Sequence, residues 1–268
     1  MTEFPITEAH ERLYRDEGYF ILERVFSDDV LDMLREECDR SIGIVEEAMD
    51  ATGQDVIGLN HRGQRYIVPL QYKRSDNLPG FLFGEEMAAL CRATLGPDAY
   101  LFLEQFVIKG ARDGMALGWH QDAGYLPFDP PHYATGWIPL DDVDERNGTL
   151  YILPYSTAGT RRRVVHERQP GSNDKVGYFG DDPGIAVVAP AGSLAVISST
   201  TLHRSGPNET DRPRRAYIVQ YSERPIVYPD GGGLRHFADP FLKGGRRVSQ
   251  PTLEELKRAP AMPWTWDE

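Results

Sequence analysis

The spacing of apolar residues changes near residue 100 of this chain. Before that point, segment 30–38 carries apolar residues three and four positions apart, after an N-cap signal at Ser27, and predicts a helix. Segment 85–95 predicts a second helix that stops at Gly96-Pro97, and segment 8–17 a short polar one. The apolar run 19–26 predicts a strand. The first third of the chain is therefore expected to be largely helical.

After residue 100 the chain is a series of short apolar or alternating runs, most of them bounded by Gly, Pro, Asn or Asp. The runs are 100–108, 133–139, 149–153, 185–188, 194–198 and 216–221. Many short strands separated by turn residues are typical of a sandwich or barrel, and a jelly roll fits the length. We therefore predict a mainly β fold with flanking α-helices that support one sheet.

We expect one domain over residues 1–268. Its helical N-terminal part covers about 1–98, the jelly-roll core about 99–225, and a C-terminal lid or loop segment 226–268. Two stretches, 56–76 and 222–248, follow no regular pattern. Long irregular stretches in a compact domain are usually lids, binding loops or disordered segments.

Charge and composition exclude several classes of partner. The 268 residues carry a formal net charge of −12, which argues against nucleic acid and anionic membranes because both require clustered positive charge. The basic runs 161–163 and 212–215 are short exceptions. The N-terminus does not resemble a signal peptide, and no stretch approaches the ~18 apolar residues of a membrane span. Cys38 and Cys91 are expected to be buried thiols, so we predict a cytoplasmic protein. The expected partner is a small-molecule substrate, and the sequence does not indicate the oligomeric state.

One histidine of seven, His120, is followed two positions later by an acidic residue, Asp122. In an extended chain these two side chains point to the same face and can bind one ion together. Alone, the pair is weak evidence, because a loop histidine beside a solvated aspartate is common. Four other histidines are expected on the surface or in the core: His10, His61, His132 and His166.

A third ligand strengthens this prediction. Two histidines and one carboxylate bind one face of Fe(II) and leave three adjacent positions open. His203 lies between two strand-like runs about eighty residues further on, where a jelly roll can bring it to the strand of the first pair. His236 competes for the role, since Arg247 follows it by eleven residues, but its surroundings are glycine-rich loop. We favour His203.

The open metal positions require a co-substrate, and 2-oxoglutarate fills two of them with its keto and C1 carboxylate oxygens. Its distal carboxylate then requires a fixed cation, for which the planar fork of arginine is well suited. Arg214 follows His203 by eleven residues, and Ser205 follows it by two and offers a hydroxyl to the same carboxylate.

Several motifs together resemble the phytanoyl-CoA dioxygenase family, over roughly residues 10–225. They are Trp119-His-Gln-Asp122 with Tyr125, Asn147-Gly148 with Leu153-Pro154-Tyr-Ser156, His203-Arg-Ser-Gly-Pro-Asn208 with Asp211-Arg-Pro-Arg214, and the opening Tyr14-Arg-Asp-Glu-Gly18. The resemblance implies a double-stranded β-helix (jelly roll, cupin-like) and an oxygenase that uses iron(II), 2-oxoglutarate and O₂.

Position by position, the resemblance assigns roles to eight residues: His120, Asp122 and His203 to the iron, Arg214 and Ser205 to the distal carboxylate, Gln105 and Trp137 beside the co-substrate, and Tyr125 near the substrate pocket. Two positions depart from the family. Arg204 stands where many members have glycine, and Lys109-Gly110 replaces the common Lys-Pro. Asp122 retains the carboxylate that halogenating relatives lack.

The predicted reaction is hydroxylation of an unactivated C–H bond in a small organic substrate, with release of succinate and CO₂. Desaturation, epimerisation and ring formation at the same iron site remain open. No polybasic groove marks a CoA site, so a natural-product substrate is preferred to an acyl-CoA. Arg62 and Tyr66 are candidate substrate contacts, or else part of a solvated loop. A cupin-like metal-binding protein or zinc hydrolase without 2-oxoglutarate is the rival class, and a plain β-sandwich binding module a third.

Overall fold

The computed structural model describes residues 4–112, 114–169 and 174–248. In these ranges the helices are α1 (Glu8–Glu17), α2 (Asp28–Thr52), α3 (Leu78–Leu82), α4 (Glu85–Thr94) and α5 (Tyr155–Ala158). Ser27 caps α2 as predicted, because its hydroxyl accepts a hydrogen bond from the backbone N–H of Val30. The predicted helices at 8–17 and 85–95 are confirmed.

An antiparallel sheet forms the centre of the molecule. Its strands run in the order β1 (Tyr19–Leu22), β12 (Leu194–Ser198), β7 (Tyr133–Pro139), β14 (Arg214–Ser222), β5 (Ala99–Lys109), β4 (Arg65–Pro69), β3 (Asn60–His61) and β2 (Val56–Ile57). A hairpin of β15 (Asp239–Lys243) and β16 (Arg246–Arg247) pairs with the start of β5. The irregular stretches of the sequence therefore both add strands next to β5, one at each end of that strand.

A smaller antiparallel sheet has the order β11 (Ile185–Ala186), β8 (Leu150–Leu153), β13 (Leu202–Ser205) and β6 (Leu117–His120). Beside it lies the two-stranded ribbon of β9 (Glu167–Arg168) and β10 (Lys175–Val176). Trp137 and Ala216 from the large sheet share one apolar cluster with Leu150 and Ile152 from the small sheet. The two sheets therefore pack face to face, which confirms the predicted mainly β, jelly-roll architecture with flanking helices.

Alternation along β14 separates the two faces of the large sheet. Tyr217, Val219 and Tyr221 join the larger apolar core, which contains residues of α2, α3 and α4. Ala216 and Ile218 point the other way, into the space between the sheets. Helices thus cover the outer face of the large sheet, and its inner face is left for the candidate site.

Three smaller predictions have outcomes here. Cys38 and Cys91 are both buried free thiols, as expected. Within the described ranges, no helix is both long enough and apolar enough to cross a bilayer. The predicted lid or loop segment 226–268 is seen only to residue 248, and its remainder lies outside the described residues.

Candidate active site

His120 and His203 meet because their strands pair. The two residues are direct partners in the β6–β13 register, and their ring centroids are 4.1 Å apart. We had expected Asp122 to continue the strand, but it begins a short 3₁₀ turn at 122–125. Because Gln121 is extended, Asp122 still turns toward His120, and its Oδ1 lies 3.5 Å from Nε2 of His203. One ligand atom from each of the three residues lies within 4.8 Å of the others.

Backbone carbonyls select the ring nitrogen that each histidine offers. Nδ1 of His120 lies 2.8 Å from the carbonyl of Gly118, and Nδ1 of His203 lies 3.0 Å from that of Thr201. Since a carbonyl only accepts, both Nδ1 atoms carry the proton, and both Nε2 lone pairs are left for a metal. Burial, helped by the neighbouring His203, lowers the pKa of His120 well below its usual range, so this ring is a neutral ligand. The donor set fits Fe(II).

His166 supports the backbone of the His-x-Asp segment. Its Nε2 accepts the N–H of Gln121 at 2.9 Å, and its Nδ1 donates to the carbonyl of Val164 at 2.9 Å. Burial lowers the pKa of this histidine, which keeps the accepting nitrogen unprotonated. The sequence placed His166 on the surface or in the core; the structure places it directly behind the candidate ligands.

The second carboxylate oxygen of Asp122 is also occupied. Oδ2 accepts a hydrogen bond from Oγ1 of Thr135 at 2.5 Å and another from Nε2 of Gln220 at 3.0 Å. Sequence analysis identified neither partner. Both lie on strands of the large sheet, 13 and 98 residues from Asp122, and neither belongs to a motif.

A cavity of about 200 Å³ adjoins the candidate metal site. Its apolar lining includes Phe102, Tyr133 and Leu126, and two predicted site residues, Gln105 and Tyr125, also line it. The Tyr125 ring stands edge-on to His120, with centroids 5.5 Å apart. Burial raises the pKa of Tyr125 to about 12, so its hydroxyl stays protonated at neutral pH.

Arg214 is deeply buried, with 2% of its surface exposed. Its Nη2 donates to the carbonyl of Gly148 at 2.9 Å, whereas Nε and Nη1 have no acceptor among the described residues. Burial lowers the pKa of Arg214 to about 10, which leaves it charged at neutral pH. Its guanidinium carbon lies 5.7 Å from the centre of the Trp137 ring. Buried donors normally have partners, so this cation fits an anionic ligand such as a carboxylate.

Lys109, which the sequence marks only as part of a turn, is a further basic residue of this region. It lies directly opposite Arg214 in the β5–β14 register, and Arg65 on β4 lies opposite Lys109 on its other side. Arg65 is paired with Asp174 at 3.0 Å, while Nζ of Lys109 donates to the carbonyl of Gly206 at 2.7 Å. Burial, together with the charges of Arg214 and Arg65, lowers the pKa of Lys109 to about 6.

The two departures from the family pattern have structural explanations. A Cβ atom at Gly110 would lie 1.7 Å from the carbonyl oxygen of Gly63, so the close approach of these two turns requires glycine. Arg204 points to the surface, where its guanidinium lies 3.8 Å from the centre of the Tyr151 ring. Neither departure changes the candidate metal ligands.

The remaining predicted site residues lie in different parts of the structure. Ser205 lies two residues beyond His203 on β13 and is partly buried. Arg62 is held by Asp50 and Asp55, and Tyr66 packs in the outer core and donates to Glu46. Neither Arg62 nor Tyr66 is among the residues that line the cavity, and their substrate role stays a prediction.

His236, the rejected competitor for the metal, lines the cavity with a ring 5.2 Å from that of Phe102. It is not a member of the ligand cluster formed by the described residues, which contains His203. Arg247, its predicted companion, instead pairs with Glu85. The geometry therefore agrees with the choice of His203.

Comparisons with known proteins agree with this geometry. A family model described as phytanoyl-CoA dioxygenase (PhyH) matches residues 14–216. A protein of Stutzerimonas stutzeri, named probable alpha-ketoglutarate-dependent hypophosphite dioxygenase, is 25% identical over 262 residues, covering 92% of this chain and 89% of the relative.

Two solved structures share the fold. SnoK, a non-haem alpha-ketoglutarate-dependent carbocyclase from nogalamycin biosynthesis, is 21% identical with a TM-score of 0.65, over 85% of this chain and 88% of SnoK. SnoN, an epimerase in complex with Fe3+, alpha-ketoglutarate and nogalamycin RO, is 22% identical with a TM-score of 0.62, over 86% of this chain and 94% of SnoN.

Proposed function

The chain belongs to the phytanoyl-CoA dioxygenase family of iron(II)- and 2-oxoglutarate-dependent oxygenases, and on that premise we propose how its own residues perform the reaction. It is an enzyme of this class, with Fe(II) as cofactor and 2-oxoglutarate and O₂ as co-substrates. In the proposal, His120, Asp122 and His203 hold the iron, and Arg214 binds the distal carboxylate of 2-oxoglutarate with help from Ser205. Gln105 and Trp137 lie beside the co-substrate.

One observation carries this proposal: three ligand atoms converge within 4.8 Å at one place, and a buried guanidinium, two of whose nitrogens have no acceptor among the described residues, lies on a strand of the facing sheet. A zinc hydrolase has no use for the second feature. A buried cation without an anion is costly, and a ligand carboxylate removes that cost. The oxygenase therefore accounts for both features together.

When bound, iron(II) and 2-oxoglutarate supply the oxidant, formed from O₂ with release of succinate and CO₂. The chain contributes orientation and exclusion of water. The Nε2 atoms of His120 and His203 face the metal position because the carbonyls of Gly118 and Thr201 accept hydrogen bonds from their Nδ1 atoms. The apolar walls formed by Phe102, Tyr133 and their neighbours keep bulk water from the reacting position.

For the substrate we propose a small organic molecule, which is hydroxylated at an unactivated C–H bond. The cavity beside the metal measures about 200 Å³, and its lining combines apolar walls with polar side chains such as Asn60 and Gln105, which supports a compact substrate over a long acyl chain. Tyr125 is the proposed contact closest to the reacting position, since its ring touches that of His120. The relatives SnoK and SnoN, a carbocyclase and an epimerase, keep ring formation and epimerisation as alternatives on natural-product scaffolds. The buried free thiols Cys38 and Cys91 support a cytoplasmic location.

Anaerobic titration with Fe(II) and 2-oxoglutarate tests the proposal. We expect a weak visible charge-transfer band in the wild type and none in Asp122→Ala. A succinate-release screen over a metabolite panel, with iron and ascorbate present, then identifies the substrate. Wild-type protein that gives no band, and that turns over only hydrolytic substrates when loaded with zinc, would overturn the proposal in favour of a hydrolase.

A further inference from the structure

Asp122 is part of a closed ring of hydrogen bonds with Thr135 and Gln220. Thr135 Oγ1 donates to Oδ2 of Asp122 at 2.5 Å, and Gln220 Nε2 lies 3.0 Å from both that oxygen and Thr135 Oγ1. A threonine hydroxyl has one proton, which goes to the carboxylate. Its oxygen can therefore only accept a further bond, and one N–H of Gln220 is shared between this oxygen and Oδ2 of Asp122.

Thr135 and Gln220 both reach Asp122 because they lie side by side on neighbouring strands. Thr135 and Gln220 are direct partners in the β7–β14 register and are 3% and 5% exposed. The pairing of β14 with β5 shifts by one residue between Gln220 and Tyr221, next to this position. The extra residue of this bulge is Phe102 on β5, which lines the cavity, and the pairing of β14 with β7 continues without a shift.

Thr135 and Gln220 are polar side chains on a face of the sheet whose neighbouring residues are apolar. Along the same inner face of the large sheet, the next residues are Trp137 and Ile218, which belong to or pack against the apolar core between the sheets. Polar groups in such surroundings destabilise the fold unless they are hydrogen-bonded. The partner that satisfies both of them is Oδ2 of Asp122, so the pair is explained by its action on that carboxylate.

We propose that Thr135 and Gln220 are positioning residues that hold Asp122 as a one-oxygen metal ligand. Oδ1 faces Nε2 of His203, and Oδ2 is kept on the side of the large sheet. A carboxylate free to rotate offers both oxygens to a metal. Its second oxygen would then occupy a position that 2-oxoglutarate or O₂ needs. The inference rests on the proposed function, because it requires Asp122 to bind the metal.

Binding of Co(II) to the 2-oxoglutarate-free protein, followed by visible absorption and calorimetry, tests the role without turnover. Partners of metal ligands typically contribute about 10- to 100-fold in metal affinity. We therefore expect Thr135→Val and Gln220→Leu each to raise the Co(II) Kd by about 10- to 100-fold. Thr135→Ser keeps the hydroxyl and is expected to bind like the wild type.

Two controls separate positioning from packing. Thr149→Val removes another buried threonine hydroxyl, one that donates to the carbonyl of Val187 at 2.5 Å, and should leave the Co(II) Kd unchanged. Urea unfolding of each metal-free variant establishes that it folds. A loss in Thr135→Ser as large as in Thr135→Val, or wild-type affinity in Thr135→Val, would overturn the inference.

A double-mutant cycle shows whether the effect passes through Asp122. In an Asp122→Ala background, Thr135→Val should cause no further loss of Co(II) affinity. An equal loss in both backgrounds would place the effect elsewhere and refute the positioning role. If Asp122→Ala alone left the Kd unchanged, the metal assignment of the proposed function would itself fail, which is a separate and recognisable result.

Discussion

Replacing Arg214 with methionine should stabilise the ligand-free protein and at the same time weaken binding of 2-oxoglutarate. Arg214 is 2% exposed, and its Nε and Nη1 have no acceptor among the described residues. Each buried donor without a partner costs about 1–3 kcal/mol, and loss of the bond to Gly148 offsets part of the relief. An apolar side chain of similar volume in place of a buried charge typically stabilises by about 1–4 kcal/mol. We expect the free energy of unfolding to rise by about 1–3 kcal/mol.

Binding of 2-oxoglutarate to the same variant should weaken. Removing one member of a buried charge pair costs about 2–5 kcal/mol, which corresponds to a rise of roughly 30-fold to several thousand-fold in the Kd for 2-oxoglutarate. Urea unfolding without ligand measures the first effect. Anaerobic titration of the Fe(II) protein with 2-oxoglutarate measures the second.

The neighbouring Arg215 provides a matched control. It is partly exposed and forms an ion pair with Asp141 at 2.7 Å. Arg215→Met should lower stability and leave 2-oxoglutarate binding unchanged, because that residue points to the opposite face of β14. If Arg214→Met were less stable than the wild type without ligand, or bound 2-oxoglutarate equally well, the assignment of Arg214 to the co-substrate would be wrong.

Three further predictions follow from named contacts. Asp122→Ala should weaken Co(II) binding strongly while His236→Ala, a cavity residue outside the ligand cluster, keeps the wild-type Kd; an equal rise of the Kd in both by calorimetry would contradict the ligand assignment. Lys109 has a folded pKa of about 6, below its ordinary 10.5, so the unfolded chain binds more protons between these values. Stability of the 2-oxoglutarate-free protein should therefore rise from pH 6 toward pH 10, a slope that urea unfolding should find flattened in Lys109→Met. Gly110→Ala should lower the unfolding free energy by about 1–3 kcal/mol or more, since its Cβ would lie 1.7 Å from a carbonyl oxygen; an unchanged urea midpoint would refute this.

Much of the candidate site could be predicted from the sequence because the relevant residues lie close together along the chain or beside recognisable strand patterns. His120 and Asp122 are two positions apart, and an extended residue between them is enough to turn both side chains one way. The fold class followed from the change in apolar spacing near residue 100, and the first turn of α2 from the cap at Ser27. The choice of His203 over His236 depended on flanking strand patterns, which are also local.

Two candidate substrate contacts, Arg62 and Tyr66, depend on side-chain direction, which the sequence does not show. Arg62 looked like a free cation in an irregular stretch, but folding places Asp50 and Asp55 within reach of it. Tyr66 and Arg65 are adjacent on β4 and therefore point to opposite faces of the sheet. Arg65 lies beside Lys109 on the neighbouring strand, whereas Tyr66 packs into the outer core. A single sequence without a known sheet register gives no means of choosing between these faces.

By itself, then, the sequence determined which short segments hold the candidate site: the His-x-Asp pair, the distal histidine and the arginine eleven residues after it. Tertiary structure alone decided what surrounds them. Thr135 meets Gln220, and Lys109 meets Arg214, because antiparallel strands pair in one register. That register results from burial summed over whole sheets, so it brings together residues that no local pattern relates, and it fixes how each ligand is held.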